Sequence, residues 1–235
     1  MKTLLLAAGF GSRLRPLTDH LPKCLIPIHG KPLLHFWMEL LSDSEINDIL
    51  INLHYLPEKV RDYIDNEIFK DRVTLVYENE LLGTGGTLLN NQAFFKDESI
   101  LLIHADNLSR FNIGSFIKCH NERPIGTLMT MMTFCTDSPR SCGIVELDDN
   151  GIVIKFHEKV VNPPGNLANG AVYILEPEII DFLRKLNRKV IDFSTEVLPF
   201  YLGRINTFHN NIYHRDIGNI ESYYKALQEF PTIGE

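Results

Sequence analysis

The chain is poor in features that would place it in several common classes. Its four cysteines, Cys24, Cys119, Cys135 and Cys142, form no CxxC pair, and none stands at zinc-site spacing to a histidine. This excludes a zinc module and leaves reduced thiols, as expected of a cytoplasmic protein. No apolar run is long enough to span a bilayer, so no membrane partner is expected. Lys2 followed by Leu4-Leu5-Leu6-Ala7-Ala8 faintly imitates a signal peptide. The apolar stretch is short, however, and Arg13 and Arg15 follow at once, so that reading is rejected. An excess of positive charge is also missing. The formal net charge of −7 speaks against a nucleic-acid surface. There is no internal repeat, no low-complexity tract and no hexapeptide β-helix pattern near the C-terminus.

What is present describes an ordinary globular chain. Its 235 residues, 44% hydrophobic and 23% charged, suit one large α/β domain with a good core. The charge is unevenly spread. Residues 1–31 hold Lys2, Arg13, Arg15, Lys23 and Lys31 against the single acid Asp19. This local excess of four positive charges sits within a total of −7, so the remainder carries −11. A basic opening on an acidic protein points to a local anion site.

The first half alternates two periodicities. Thr3 to Ala7, Asp48 to Asn52, Val73 to Tyr77 and Ile100 to His104 read as strands. Lys31-Pro32 reads as a helix opening, with Leu33, Phe36, Trp37, Leu40 and Leu41 on one stripe. A second helix is expected from about Pro57 to Asn66, and another between the last two strands. This βαβαβ rhythm predicts a largely parallel sheet covered by helices. The second half turns to strands, at Leu128 to Phe134, Gly143 to Leu147, Val153 to His157 and Ala171 to Leu175. Asp148-Asp149-Asn150-Gly151 is a turn able to close a hairpin. Pro177 opens a helix with Ile179, Phe182, Leu183 and Leu186 on one stripe. The final helix carries Ile220, Tyr223, Tyr224 and Leu227 and stops before Pro231. The expected fold is α/β, a Rossmann-like three-layer αβα with a mixed, mostly parallel central sheet and a small antiparallel extension. It is read as a single domain of two halves, about 1–110 and about 111–235.

The strongest local signal is Leu6-Ala7-Ala8-Gly9-Phe10-Gly11-Ser12-Arg13-Leu14, directly after the first strand. Strand carboxyl ends are where open α/β sheets bind ligands, and small residues let backbone N–H groups approach a phosphate. A dinucleotide loop would need a third glycine where Leu14 stands, which disfavours a nicotinamide oxidoreductase. A P-loop would need Gly-Lys-Ser/Thr. A structural tight turn remains open for the loop by itself.

The loop continues through Arg13-Leu14-Arg15-Pro16-Leu17-Thr18 to Leu21-Pro22-Lys23-Cys24-Leu25-Ile26-Pro27-Ile28 and Gly30-Lys31-Pro32. The whole stretch resembles the N-terminal pattern of the sugar-1-phosphate nucleotidyltransferases, the NDP-sugar pyrophosphorylases. That resemblance implies that the loop wraps a nucleoside triphosphate, that Arg13 holds the leaving pyrophosphate and that Lys23 contacts the phosphates. It makes Arg13, Lys23 and Asp106 the catalytic residues. Nucleotide-binding roles fall to Leu6, Ala7, Ala8, Gly9, Gly11, Ser12, Arg13 and Lys23. A planar guanidinium and a lysine point charge suit a leaving pyrophosphate.

Glu80-Leu81-Leu82-Gly83-Thr84-Gly85-Gly86-Thr87 resembles the family's base-recognition loop, adding Glu80, Gly83, Thr84 and Gly85 to the nucleotide site. A glycine-rich turn capping a helix is the plainer alternative. Its Leu-Gly-Thr-Gly-Gly form looks most like members that use GTP with mannose or heptose 1-phosphates. Asp106 ends an apolar strand, where an unpaired carboxylate is costly unless it meets solvent, a cap or a cation. The resemblance makes Asp106 a Mg²⁺ ligand, with Ala105 standing where the family has glycine. A second ligand is Asp216, in His214-Arg215-Asp216-Ile217-Gly218, although a helix-terminal charge would also explain it. His104 reads as a neutral, hydrogen-bonded strand histidine.

The sugar side rests on shorter matches. Phe156-His157-Glu158-Lys159 resembles Phe-x-Glu-Lys, and Cys142-Gly143-Ile144-Val145 a strand under the sugar. Asn169-Gly170-Ala171-Val172-Tyr173 stands where the family has Asn-Ala-Gly-x-Tyr. Together with Asn107 these give Gly143, Glu158, Lys159 and Asn169 as substrate-binding residues. A solvated lysine remains open for Lys159. The resemblance implies a Mg²⁺-dependent transfer of a nucleotide to a sugar 1-phosphate, with a homodimer left open. A uridylyl or cytidylyl transferase, including phosphocholine types, is the nearest alternative. A silent nucleotide-sugar-binding regulator is disfavoured because Arg13, Lys23, Asp106 and Asp216 are all present.

Overall fold

Apolar periodicity accounts for most elements of the computed structural model, which describes residues 1–230. The chain opens with β1 (Lys2–Leu6), then the short β2 (Pro27–Ile28) and β3 (Lys31–Pro32), and α1 (Leu33–Ser42). Next come β4 (Ile49–Leu53), α2 (Pro57–Asp65), β5 (Val73–Tyr77), α3 (Gly83–Asn90) and α4 (Gln92–Phe95). They lead to β6 (Ile100–His104), β7 (Asn107–Arg110), α5 (Ile113–Asn121), β8 (Met129–Cys135), β9 (Gly143–Leu147) and β10 (Val153–Glu158). The remainder is β11 (Leu167–Leu175), α6 (Glu178–Lys185), α7 (Phe193–Glu196), β12 (Ile205–His209), β13 (Tyr213–Asp216) and α8 (Ile220–Glu229). The fold is α/β, with a mixed sheet and flanking helices, as expected.

Contacts divide the chain into two compact units. Of the described residues, the first comprises Thr3–Glu80, His104–Ile113 and 212–230. Its strands run β1-β4-β5, all parallel, with Leu5 opposite Ile51 and Ile51 opposite Leu75. Leu4, Leu5 and Ile49 to Ile51 are buried without alternation, as parallel strands covered on both faces require. Helix α1 buries the expected stripe and also Leu34 and Met38. It starts later than expected. Lys31-Pro32 pairs with Pro27-Ile28 in a small hairpin instead of opening the helix. The reason lies in His29 and Gly30, which both take positive φ, the backbone of a tight hairpin turn. Strand β13 pairs antiparallel with β7, setting Asp216 opposite Asn107. Asn219 caps α8 by accepting from the Ser222 N–H at 2.8 Å. A buried cluster joins Leu14, Ile26, Leu33, Phe36, Leu108, Ile217, Tyr223 and Phe230. Pro231, the expected stop, lies outside the described residues.

The second unit comprises Met1–Lys2, Leu81–Ile103 and Gly114–Asn211. Its hub is β11, antiparallel to β6, β8 and β9. Strands β9 and β10 form the expected hairpin. Asp148 Oδ1 accepts from the N–H groups of Asn150 and Ile152, both at 2.9 Å, and Gly151 takes φ 78. β12 lies parallel to β8. Helix α6 buries Ile179, Ile180 and Leu183. Helix α5 and strands β7 and β12 carry signals too short and too polar to read in advance.

Candidate functional site

In the first unit the glycine loop leaves β1 and is held from one side. The Ala7 N–H donates to Asn52 Oδ1 at 2.9 Å. Asn52 is itself buried at the end of β4, so its amide finds a partner in this loop. Gly11 takes φ 62, and a Cβ there would come within 2.9 Å of Thr18 Cγ2. Thr18 in turn donates its hydroxyl to the Gly11 carbonyl at 2.8 Å, and the Tyr55 hydroxyl donates to the Thr18 carbonyl at 2.8 Å. Gly11 is therefore fixed by both conformation and crowding. Gly9 differs: a Cβ there meets nothing within 4 Å. Ser12 and Arg13 are exposed on the turn Ser12–Leu14, whose Leu14 plugs the core.

The same unit gathers three charges. Lys23 follows Pro22 on the turn Lys23–Leu25 and is only 7% exposed. Its Nζ lies 2.8 Å from Asp106 Oδ2 and 3.6 Å from Asp216 Oδ1. Asp106 follows β6, and Asp216 ends β13. The β7–β13 ladder brings together residues 110 positions apart in sequence. Burial pushes the Asp106 carboxyl up, but Lys23, and after it His104, more than offset this, holding it below the usual carboxylate range. The side chains keep 40% and 44% of their surface open, so both carboxylates still face solvent. His214, from the same strand as Asp216, is driven by burial down to about 3 and is therefore neutral. Asn107 is buried, and its carbonyl accepts from the Trp37 indole N–H at 2.8 Å.

Among the described residues no three His, Cys, Asp or Glu side chains converge as a ready metal cage. Two carboxylates meeting on one ammonium nevertheless form an oxygen donor pair that already holds a cation. Such a pair suits a hard divalent ion that keeps waters in its remaining positions. Glu80 is exposed, in a bend after β5.

The second unit holds the other expected residues. Helix α3 begins at Gly83, so the glycine run opens a helix, and Gly83 takes φ 70. Close packing demands these glycines. The Ile191 N–H donates to the Leu82 carbonyl at 2.9 Å, and the Gly85 N–H to the Ile191 carbonyl at 3.0 Å. A Cβ on Gly85 would come within 2.7 Å of Ile191 Cγ2, and one on Gly86 would strike the Lys189 carbonyl. Thr84 is half-buried on the same turn.

Gly143, Glu158 and Lys159 converge through the β9–β10 pairing, which sets Glu158 opposite Gly143. A Cβ on Gly143 would meet the Phe156 ring and, at 2.8 Å, Glu158 Oε2. Lys159 pairs with Glu158 at 3.1 Å and holds φ 48, a left-handed backbone uncommon for a side-chain-bearing residue. Asn169 sits at a bulge in β11, where register with β8 shifts between Asn169 and Tyr173. Its Oδ1 accepts from the Ala171 N–H at 2.9 Å, and its Nδ2 donates to the Tyr173 hydroxyl at 2.6 Å. Ala171 takes φ 53, at the position where the family pattern has glycine.

Several supporting residues escaped the sequence reading. Asn52 was visible only as one polar residue in an apolar strand, and Trp37 only as part of a stripe. Thr18 stands in the N-terminal stretch with nothing local to mark its hydroxyl as the partner of the Gly11 carbonyl.

A family model described as "Nucleotidyl transferase" matches residues 2–232. The chain belongs to this family. Among its relatives is the D-glycero-alpha-D-manno-heptose 1-phosphate guanylyltransferase of Campylobacter jejuni, 30% identical, with 97% of this chain and 99% of that protein covered. The UTP--glucose-1-phosphate uridylyltransferase of Synechocystis is 31% identical over 97% of this chain. This chain spans only 63% of that relative's length. The crystal structure of HddC from Yersinia pseudotuberculosis complexed with GMP-PN matches with a TM-score of 0.81 at 27% identity, covering 98% and 99% of the two chains. Nucleotidyl transferase membership and the α/β fold thus agree. Among the described residues no helix is long and apolar enough to cross a membrane.

Proposed function

We propose that this protein transfers a nucleotide from a nucleoside triphosphate to a sugar 1-phosphate, giving an NDP-sugar and pyrophosphate. The observation that carries this reading is the convergence of Asp106 and Asp216 on Lys23, in the unit that also holds the glycine loop. Family membership supports it. GTP with a mannose or D-glycero-D-manno-heptose 1-phosphate is the preferred pair, supported by the Campylobacter relative matched along nearly its whole length. Uridylyl transfer is the second reading, supported by the Synechocystis relative.

In this reading the loop from Leu6 to Ser12 cradles the triphosphate. Bare Gly9 suits it, since nothing inside the chain demands a glycine there. Asp106 and Asp216 would hold Mg²⁺, which when bound supplies charge neutralisation to the polyphosphate. Arg13 and Lys23 offset the charge that develops on pyrophosphate. Glu80, Gly83, Thr84 and Gly85 serve the nucleotide. Glu158 contacts sugar hydroxyls and Lys159 the sugar phosphate, with Asn107, Gly143 and Asn169 shaping that side. The sugar phosphate is already anionic at neutral pH, so it needs no general base. Its oxygen attacks the α-phosphorus in line, forming one P–O bond while the bond to the β-phosphoryl oxygen breaks. Unpaired Cys24, Cys119, Cys135 and Cys142 support a reducing, cytoplasmic setting.

The test is pyrophosphate release with Mg²⁺, using GTP, UTP, CTP and dTTP each against mannose, heptose, glucose and N-acetylhexosamine 1-phosphates. The expected result is one strongly active pair containing GTP. Activity confined to UTP would select the second reading, and silence across the grid would overturn both.

A further inference from the structure

We propose that the Lys23 ammonium is a built-in placeholder for the divalent cation: it neutralises Asp106 and Asp216 in the metal-free protein and gives them up when a cation arrives. This rests on the metal reading above and deepens it. Asp106 and Asp216 come from segments far apart in sequence and are pinned together by the β7–β13 ladder. Two carboxylates facing one point repel unless a positive charge sits between them. Lys23 supplies that charge, at 2.8 and 3.6 Å.

The turn that carries Lys23 is anchored. Cys24, Leu25 and Ile26 are buried, so the backbone cannot withdraw, and only the flexible four-carbon stem is free to move. That stem starts beside the glycine loop. Lys23 Cβ lies 3.1 Å from where a Cβ of Gly11 would stand. An ammonium displaced from the carboxylates needs another anion, because it is too buried to be left unpaired. A phosphate held by the loop provides one. Cation and nucleotide binding are thereby coupled: the divalent ion takes over the carboxylates, and the freed lysine turns to the phosphates. Without nucleotide, a divalent ion must compete with Lys23 and binds weakly.

The experiment uses the full-length, nucleotide-free protein with magnesium chloride alone, read by thermal melting and titration calorimetry. It compares the natural chain with Lys23→Gln and Lys23→Arg. In chelator, Lys23→Gln is expected to melt lower than the natural chain. Magnesium should restore it and bind at least about tenfold more tightly than to the natural chain. Lys23→Arg, which keeps a cation, should behave like the natural chain. If Lys23→Gln is unfolded in chelator, refolding on magnesium is the expected result. Equal magnesium affinity in the natural chain and Lys23→Gln would overturn the placeholder role while leaving the metal reading intact. No magnesium response in Lys23→Gln would overturn both.

Discussion

Ala171 holds φ 53 where glycine would carry no penalty, and Lys159 holds φ 48 beside Glu158. Such a backbone costs a side-chain-bearing residue roughly 1–2 kcal/mol. At Ala171 the strain serves the bulge that locks Asn169, so relieving it leaves the hydrogen bonds in place. Ala171→Gly is expected to stabilise the protein by about 1 kcal/mol after the extra freedom of glycine in the unfolded chain is discounted. Urea unfolding measures this, and a loss of stability would contradict the strain. At Lys159 the strained residue is also the proposed phosphate contact. Lys159→Ala should lower kcat/KM for the sugar phosphate by about tenfold or more, with the KM for nucleotide little changed. Asp106→Asn should cut Mg²⁺-dependent turnover by at least about 100-fold while the circular dichroism spectrum stays native. Near-normal turnover would remove Asp106 from the metal site. At this scale the special residues of the glycine loop were legible because their types are rare in that order. The strain at Ala171 was not, because φ is set by the bulge and not by the residue.

The glycines of the stretch that resembles a base-recognition loop also meet a packing demand. Gly83, Gly85 and Gly86 begin α3 and let it lie against Lys189 to Ile191. Gly86→Ala puts a methyl group into the Lys189 carbonyl, a backbone atom that cannot rotate away. The expected cost is about 1–3 kcal/mol, seen as a lower melting temperature. An unchanged melting temperature would mean that the segment at Lys189 yields freely. The short apolar strands β1, β5 and β6 are legible to within a residue, and α1 is legible apart from its start. The weak ones, β7, β12 and α5, were missed. So was the β2–β3 hairpin, whose turn geometry at His29-Gly30 overrode the helix-opening preference of Pro32.

Taken whole, the molecule should be acid-sensitive. His120 is buried, with its ring nitrogens 2.9 Å from Thr130 Oγ1 and 2.8 Å from Glu176 Oε1, and burial holds its pKa below 6.5. His214 is held at about 3 for the same reason. Both folded values lie below the unfolded one, so the unfolded chain takes up protons first as the pH falls. The stability they contribute is complete above the unfolded value of 6.5 and is lost as pH drops toward the folded values. Asp106, also lowered, adds a further loss at still lower pH. Melting temperature is therefore expected to fall between about pH 7 and 5. A flat profile would contradict neutral, buried histidines.

Sequence by itself determined the α/β class, the glycine loop and the identity of the charged residues. These follow from local periodicity and from residue types that have few other uses. Only the tertiary structure decided that Lys23, Asp106 and Asp216 meet, because a contact across 110 positions is made by strand pairing that no local pattern encodes. It also decided that Asn52 anchors the loop, that the Asn169 amide is already engaged on both sides, and that the α3 glycines answer to a neighbouring backbone. In each case the reason is the same: hydrogen-bond partners and close approaches are properties of the packed chain, whereas the sequence specifies only the groups available to make them.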